Sequence, residues 1–394
     1  MADAPLLVAG GGIGGLTAAL ALAHAGRNVV VLEKAPAFTE AGAGIQVSPN
    51  ASRVLIHLGL RDALEAVAFL PEAVEVRDWR SGRVITASPL GEAALHKFGS
   101  PYYHVHRGDL LGVLHAAAAA HEAIELRLDT SVERFEASPD GVGIALDDSV
   151  VGAGLIGADG IHSRVRARLF GDEPARFTGN VAWRLLVPTE RLPDGLVRPA
   201  ATAWWGPGAH FVHYYVRSGS LVNCVCVVER DDWREESWTS PGEHADLQAD
   251  FTDWHADVRT LIDAADPETC FRWALFDRTP MPRWSEGPVT LLGDACHPTL
   301  PFMAQGGAMA IEDAAVLARA VAAFPDVAQA FRRYETLRRD RTARIQNGSR
   351  RNASIFHMRG VAAKARNLAA GRAGAGAMNW LYSYDPWAVS LDAG

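Results

Sequence analysis

LLVAGGGIGGLTAALALAHAGRNVVVLE, residues 6 to 33, reads as strand, glycine turn, helix, second strand and terminal acid. Leu6 to Ala9 is an apolar run of strand length, Gly10 to Gly15 supplies G-x-G-x-x-G, Leu16 to Ala25 is an Ala/Leu helix, and Asn28 to Leu32 is the next strand. In such a unit Gly10 permits the tight turn, Gly12 lets the backbone approach a pyrophosphate, and Gly15 lets helix and strand pack closely. Glu33 then stands where a carboxylate accepts from a ribose 2′-OH, which suits an adenosine without a 2′-phosphate. The pattern leaves NAD and FAD both open.

A secretory signal competes for the same stretch, because residues 4 to 26 lack Lys, Arg, Asp and Glu and close on Ala-His-Ala. No basic segment precedes it, the only early charge is Asp3, and five glycines fall within Gly10 to Gly15, so the phosphate-loop reading is preferred. The 394 residues, 48% hydrophobic and 21% charged, suit a globular protein of intertwined domains. A net charge of −8 offers no footprint for nucleic acid or an anionic membrane surface. Cys224, Cys226, Cys270 and Cys296 have no metal-ligand or redox spacing, so they are expected as buried thiols in a reducing cytoplasm, with no metal and no membrane span.

Far downstream, VTLLGDACHPTLPFMAQGGAMAIED (289 to 313) reads as a buried strand ending in Gly-Asp, a Pro-rich turn and a helix opened by Gly306-Gly307. That places one fixed acceptor, Asp294, and several free backbone N–H groups at one sheet edge, a place for a polyhydroxylated anion. Between the two lie EAGAGIQVSPNASR (40 to 53), a Gly-rich loop able to cover a ligand, and AVEVRDWRSGRVIT (73 to 86), a hairpin around Ser81-Gly82. Arg107, at a helix start, could reach a phosphate or pair with Asp109. Leu155 to Ala158 is another buried strand, stopping at Asp159-Gly160.

From Val181 to Phe276, Trp and β-branched residues crowd into long strands, expected as a mostly antiparallel sheet that walls a substrate. Within it AHFVHYYVR puts His210, Val212 and Tyr214 on one face and Phe211, His213 and Tyr215 on the other. The 326 to 357 stretch reads as a long helix with a solvated, Arg-rich face. The fold expected is mixed α/β: a Rossmann-like domain from 1–72, 101–180 and 271–325, interwoven with a β-sheet substrate domain from 73–100 and 181–270, and a C-terminal helical region from 326–394.

GGGIGG with Glu33, HVHRGDL, GADGIHSRVR and the 289 to 313 segment, in that order, resemble the single-component FAD-dependent aromatic-ring monooxygenases. GAGIQVSPNASR and WLYSYDPW look most like the branch of salicylate hydroxylase, 3-hydroxybenzoate 6-hydroxylase and 6-hydroxynicotinate 3-monooxygenase. The resemblance implies FAD with its pyrophosphate at Gly10, Gly12, Gly14 and Gly15, its adenosine on Glu33 and Lys34, and its ribityl chain on Asp294. It implies Arg107, Gly44, Gln46, Val47 and Pro301 around the flavin, and Asp159 where FAD meets NADH or NADPH. Gly306 and Gly307 would offer N–H groups to reduced flavin. It implies that reduced flavin and O2 give a C4a-hydroperoxide that hydroxylates a small phenolic or hydroxypyridine-type carboxylate, in a monomer or homodimer. A base that ionises the substrate hydroxyl would aid attack, and His210 with Tyr214, or His213 with Tyr215, are the candidates, the His210 face being preferred. The family often has Pro where Tyr215 stands and sometimes His where Gln46 stands. An epoxidase or reductase of this fold would share the FAD motifs, whereas a nicotinamide-only dehydrogenase would leave Asp294 idle.

Overall fold

The structure, a computed structural model, describes residues 4–38, 43–146, 149–232, 240–373 and 376–392. Leu6–Ala9 is central to a six-stranded sheet, parallel to Val29–Leu32 on one side and to Gly154–Gly157 on the other. Ile124–Arg127 and Val289–Leu291 extend it in parallel, and Ser285–Glu286 adds an antiparallel edge. Continuous apolar strands of this kind need cover on both faces. The helix Ile13–His24 supplies part of it, packing against Gly306–Ala323 and Arg107–Ala119. Its Ala/Leu sequence is apolar on every side, and nearly every side is buried.

A seven-stranded sheet forms the second layer, in the order Phe271–Asp277, Arg176–Pro188, Leu221–Glu229, Ala209–Val216, Ala200–Gly206, Ala73–Asp78 and Val84–Pro89. Its pairings are antiparallel except between Ala200–Gly206 and Ala73–Asp78. One face packs Trp183, Trp204 and Phe211 under the helices His244–Asp250 and Ala256–Asp263. The other face turns toward the six-stranded sheet and the helix Val327–Phe356.

Three details depart from the sequence reading. Phe271–Asp277, assigned by sequence to the cofactor side, pairs with Arg176–Pro188, so the chain crosses back only after Asp277. Gly44–Val47, expected as loop, is a strand paired with Tyr103–His106, while Glu40, Ala41 and Gly42 lie outside the described residues. The long helix is not uniformly solvated on its basic face. Arg338 is wholly buried between Glu312 and Asp313, and Arg341 also pairs with Glu312, because two buried carboxylates need adjacent cations. Among the described residues no helix is long and apolar enough to cross a membrane.

Candidate active site

Two cavities meet at the carboxyl ends of the parallel strands, the position that open α/β sheets offer to ligands. One, of about 420 Å³, is lined by Gly10, Gly12, Glu33, Lys34, Arg107 and Asp159 among others. The next, of about 140 Å³, is lined by Gly12, Gly14, Ile45, Arg107, Asp294, Gly306 and Gly307 among others. Gly12, Arg107, Ala158 and Gly160 border both, so the two form one extended cleft running from Glu33 to the Gly306 helix.

The glycines divide by what surrounds them. Gly10 has φ of 101°, and a Cβ on Gly15 would stand 1.9 Å from the Gly10 carbonyl oxygen, so both are required by the turn itself. At Gly12 a Cβ would meet nothing within 4 Å; it would enter the cleft, in space a pyrophosphate needs. Ile13–His24 and Gly306–Ala323 both begin at this cleft without a side-chain cap or an acid in the first turn. Their first N–H groups are thus available to anionic oxygens. Glu33 accepts from the N–H of Gly11 at 2.6 Å and of Ala35 at 2.8 Å, which fixes its carboxylate at the cleft mouth.

Asp294 is an exposed residue whose side chain opens into the cleft. Enclosure raises its pKa above the ordinary carboxylate value, against the opposing pull of His297 and Arg107. A carboxylate facing an elongated cavity suits ligand hydroxyls. This donor set fits FAD: N–H groups for the pyrophosphate, Glu33 for a ribose, Asp294 for the ribityl chain, and helix N–H groups at the far end.

Other expected positions stand differently. Asp159 lines the cleft, but its carboxylate accepts from the Ser163 hydroxyl and the N–H groups of Arg164 and Val165, capping the helix Arg164–Phe170. Asp109 takes both arms of Arg217, at 2.9 and 3.0 Å, while Arg107 lines both cavities. Val47 is enclosed in the core, and Pro301 is exposed beside Phe302. The carbonyl oxygen of the Gln46 side chain accepts from Tyr102 at 2.6 Å, and Gly44 donates to Asn223 at 2.7 Å, joining the Gly44–Val47 strand to the large sheet.

On the inner face of that sheet, registration aligns Arg184, Val225, Val212 and Ala203 in one row. These four and Leu186 keep part of their surface accessible, whereas Ala182, Val227, His210, Tyr214 and Ala201 around them are buried. An accessible centre ringed by buried neighbours is the signature of a chamber. His210, Val212 and Tyr214 share this face; His213 lies on the other, against Trp204 and Phe211. Among the described residues neither nitrogen of His213 has a hydrogen-bond partner, and burial lowers its pKa to about 3. The Tyr214 ring lies tilted against that of His104, with centroids 4.5 Å apart, and burial pushes its phenol pKa up. His210 Nδ1 lies 2.8 Å from His357 Nε2, and burial first, then His357, holds its pKa well below the ordinary value.

Sequence reasoning missed Arg184, Asn223 and His357. The parity of Arg184 along its strand was readable, but its alignment with Val212 required the register of two further pairings.

The chain matches a family described as FAD binding domain over residues 3–351. It is 40% identical over 360 residues to the 3-amino-4-hydroxybenzoate 2-monooxygenase PtmB3 of Streptomyces platensis, covering 90% of this chain and 88% of that one. It is 40% identical over 392 residues to the 3-hydroxybenzoate 6-hydroxylase of Polaromonas naphthalenivorans (strain CJ2), covering 98% and 97%. Among solved structures, Klebsiella pneumoniae HpxO complexed with FAD and uric acid superposes with a TM-score of 0.85 at 30% identity, covering 96% of each chain.

Proposed function

Because the chain belongs to the FAD-binding-domain family and is an FAD-dependent aromatic-ring monooxygenase, we propose that its substrate is a small hydroxybenzoate-type carboxylate held against the inner face of the seven-stranded sheet. The observation that carries this reading is the accessible row of Arg184, Val225, Val212 and Ala203 between His210 and Tyr214. The valines and alanine offer a flat apolar bed for a ring. Arg184, whose guanidinium lies 4.4 Å from the Trp273 ring centroid, is the cation placed to meet a carboxylate. Uric acid in HpxO and the hydroxybenzoates of the two relatives are likewise small rings bearing ionisable oxygens.

Bound FAD, reduced by NADH or NADPH, supplies the oxygen-activating chemistry. This chain's residues would bind, orient and ionise the substrate. Gly12, Glu33, Asp294 and the Gly306 helix would hold the cofactor along the cleft. His210, neutral because it is buried, would accept the phenolic proton and raise the electron density of the ring. Tyr214 would orient the same oxygen, and the apolar bed would keep water from the reacting face. Four unpaired thiols, all buried, suit a reducing cytoplasm.

The test is substrate-stimulated NADH oxidation across hydroxybenzoates, each matched with the phenol lacking its carboxylate. The proposal expects stimulation by a hydroxybenzoate and little by its matched phenol. Equal stimulation by both would remove the carboxylate from the account.

A further inference from the structure

Beyond His210 the chamber wall continues as a chain of titratable groups to the surface. Nδ1 of His210 lies 2.8 Å from Nε2 of His357, the residue that ends the helix Val327–Phe356. Nδ1 of His357 lies 3.2 Å from Oε1 of Glu229, whose side chain is 43% exposed. Both rings are buried, at 3% each. Glu229 and His357 line a further cavity of about 480 Å³, bordered also by Arg176, Asp277 and Arg350.

These contacts fix the tautomers. An ionised carboxylate only accepts, so His357 carries its proton on Nδ1 and its Nε2 bears a lone pair. His210 must then donate from Nδ1, which leaves its own Nε2 lone pair with no hydrogen bond among the described residues. A surface carboxylate thereby sets which nitrogen of the chamber histidine is basic.

We propose that His210, His357 and Glu229 form a proton relay that carries the substrate's hydroxyl proton out of the chamber to solvent. This rests on the reading of His210 as the base. The substrate O–H bond breaks with its electron pair left on oxygen, and the proton joins His210 Nε2. His210 passes its Nδ1 proton to Nε2 of His357, which passes its Nδ1 proton to Glu229 and water. Both rings end in the inverse tautomer. Return of the Nε2 proton to the product oxygen, with one proton taken in at Glu229, restores both. Of these three, His210 alone touches the substrate; His357 and Glu229 act through it.

The charged surroundings favour passage over storage. Arg359 binds the other oxygen of Glu229 at 3.0 Å, and Arg359 and Arg366 both oppose charge on His357. Glu229 pulls the other way and draws the proton outward. Burial, the largest influence on each ring, keeps both neutral at rest.

The experiment mixes oxidised, FAD-loaded enzyme with 3-hydroxybenzoate in weakly buffered phenol red, following proton release while the flavin spectrum reports binding. Near pH 7.5 the free phenol is protonated, so binding as phenolate should release about one proton per site in the wild type. His357→Gln keeps a donor and an acceptor but cannot carry a proton; it should bind the ligand yet release the proton at least about tenfold more slowly. Glu229→Gln, at the surface, should also slow release and provides the test if His357→Gln fails to fold. His210→Gln should bind without release. Wild-type release rates in His357→Gln or Glu229→Gln would overturn the relay while leaving His210 as base. Wild-type release in His210→Gln, or binding to the wild type without release, would overturn the base reading and the relay with it. Failure of the wild type to bind 3-hydroxybenzoate would count against the substrate class on which both rest.

Discussion

The side chain of Asp313, in the second turn of the helix Gly306–Ala323, reaches back to accept from the backbone N–H of Gly293 at 3.1 Å. That contact ties the turn holding Asp294 to the helix that opens at Gly306. Asp313 also binds His297 at 2.6 Å and Arg338 at 2.7 Å, and together they hold its pKa down despite burial. The acceptor and the N–H donors of the flavin cleft are therefore set at a fixed separation by one buried ion cluster.

Replacing Arg338 by Met should be costly, since it strands Glu312 and Asp313 without their shared cation. A loss of about 3–5 kcal/mol is expected from breaking a buried pair on one side. Urea unfolding of the FAD-free protein reads it directly. A change below about 1 kcal/mol, the range of an exposed pair, would mean that the cluster does not hold the fold.

Gly12→Val and Gly15→Ala should separate cofactor binding from folding. A side chain at Gly12 enters only the cleft, so the variant should fold with wild-type stability and lose FAD. A methyl at Gly15 collides with the Gly10 carbonyl, so that variant should be destabilised even without FAD. Thermal unfolding of both apo proteins, with flavin content by absorbance, distinguishes them; full flavin in Gly12→Val would displace the pyrophosphate from this loop.

His213→Leu should stabilise the protein while leaving hydroxylation unchanged, because His213 faces the outer helices with both nitrogens unpaired. The gain should be about 1 kcal/mol or more, from the cost of unpaired buried polar atoms. Its pKa is about 3 when folded and near the ordinary histidine value of 6.5 when unfolded. The unfolded chain thus binds the proton more readily between these values, and wild-type stability falls as pH drops through that window. His104, also lowered to about 3 by burial, adds in the same direction. Melting temperature against pH should fall less steeply for His213→Leu, and an unchanged slope would contradict the assignment.

Arg184→Gln should raise KM for a hydroxybenzoate at least about tenfold, the cost of one charge-assisted contact of roughly 1.5–3 kcal/mol. The weak turnover of the matched phenol should change little. Equal losses for both ligands would make Arg184 a support of the sheet rather than the carboxylate's partner.

The cofactor half was legible because its requirements are local. The turn at Gly10, the close contact at Gly15 and the acid at Glu33 each follow from a few adjacent residues. The sheet half was legible in type and in alternation, which placed His210 and Tyr214 together, but not in register. Arg184 reaches the chamber row only through the pairings of Arg176–Pro188 with Leu221–Glu229 and of the latter with Ala209–Val216. His357, 147 residues from His210, meets it through the docking of a helix end that no local pattern encodes. Arg338 was misread as solvated because its partners, Glu312 and Asp313, lie on a different helix.

Turnover of a responsive hydroxybenzoate under ¹⁸O₂ with NADH tests the central claim most directly. The account predicts that NADH, oxygen and substrate are consumed together and that one ¹⁸O atom appears in a new ring hydroxyl. Product whose added oxygen comes from unlabelled water would contradict it.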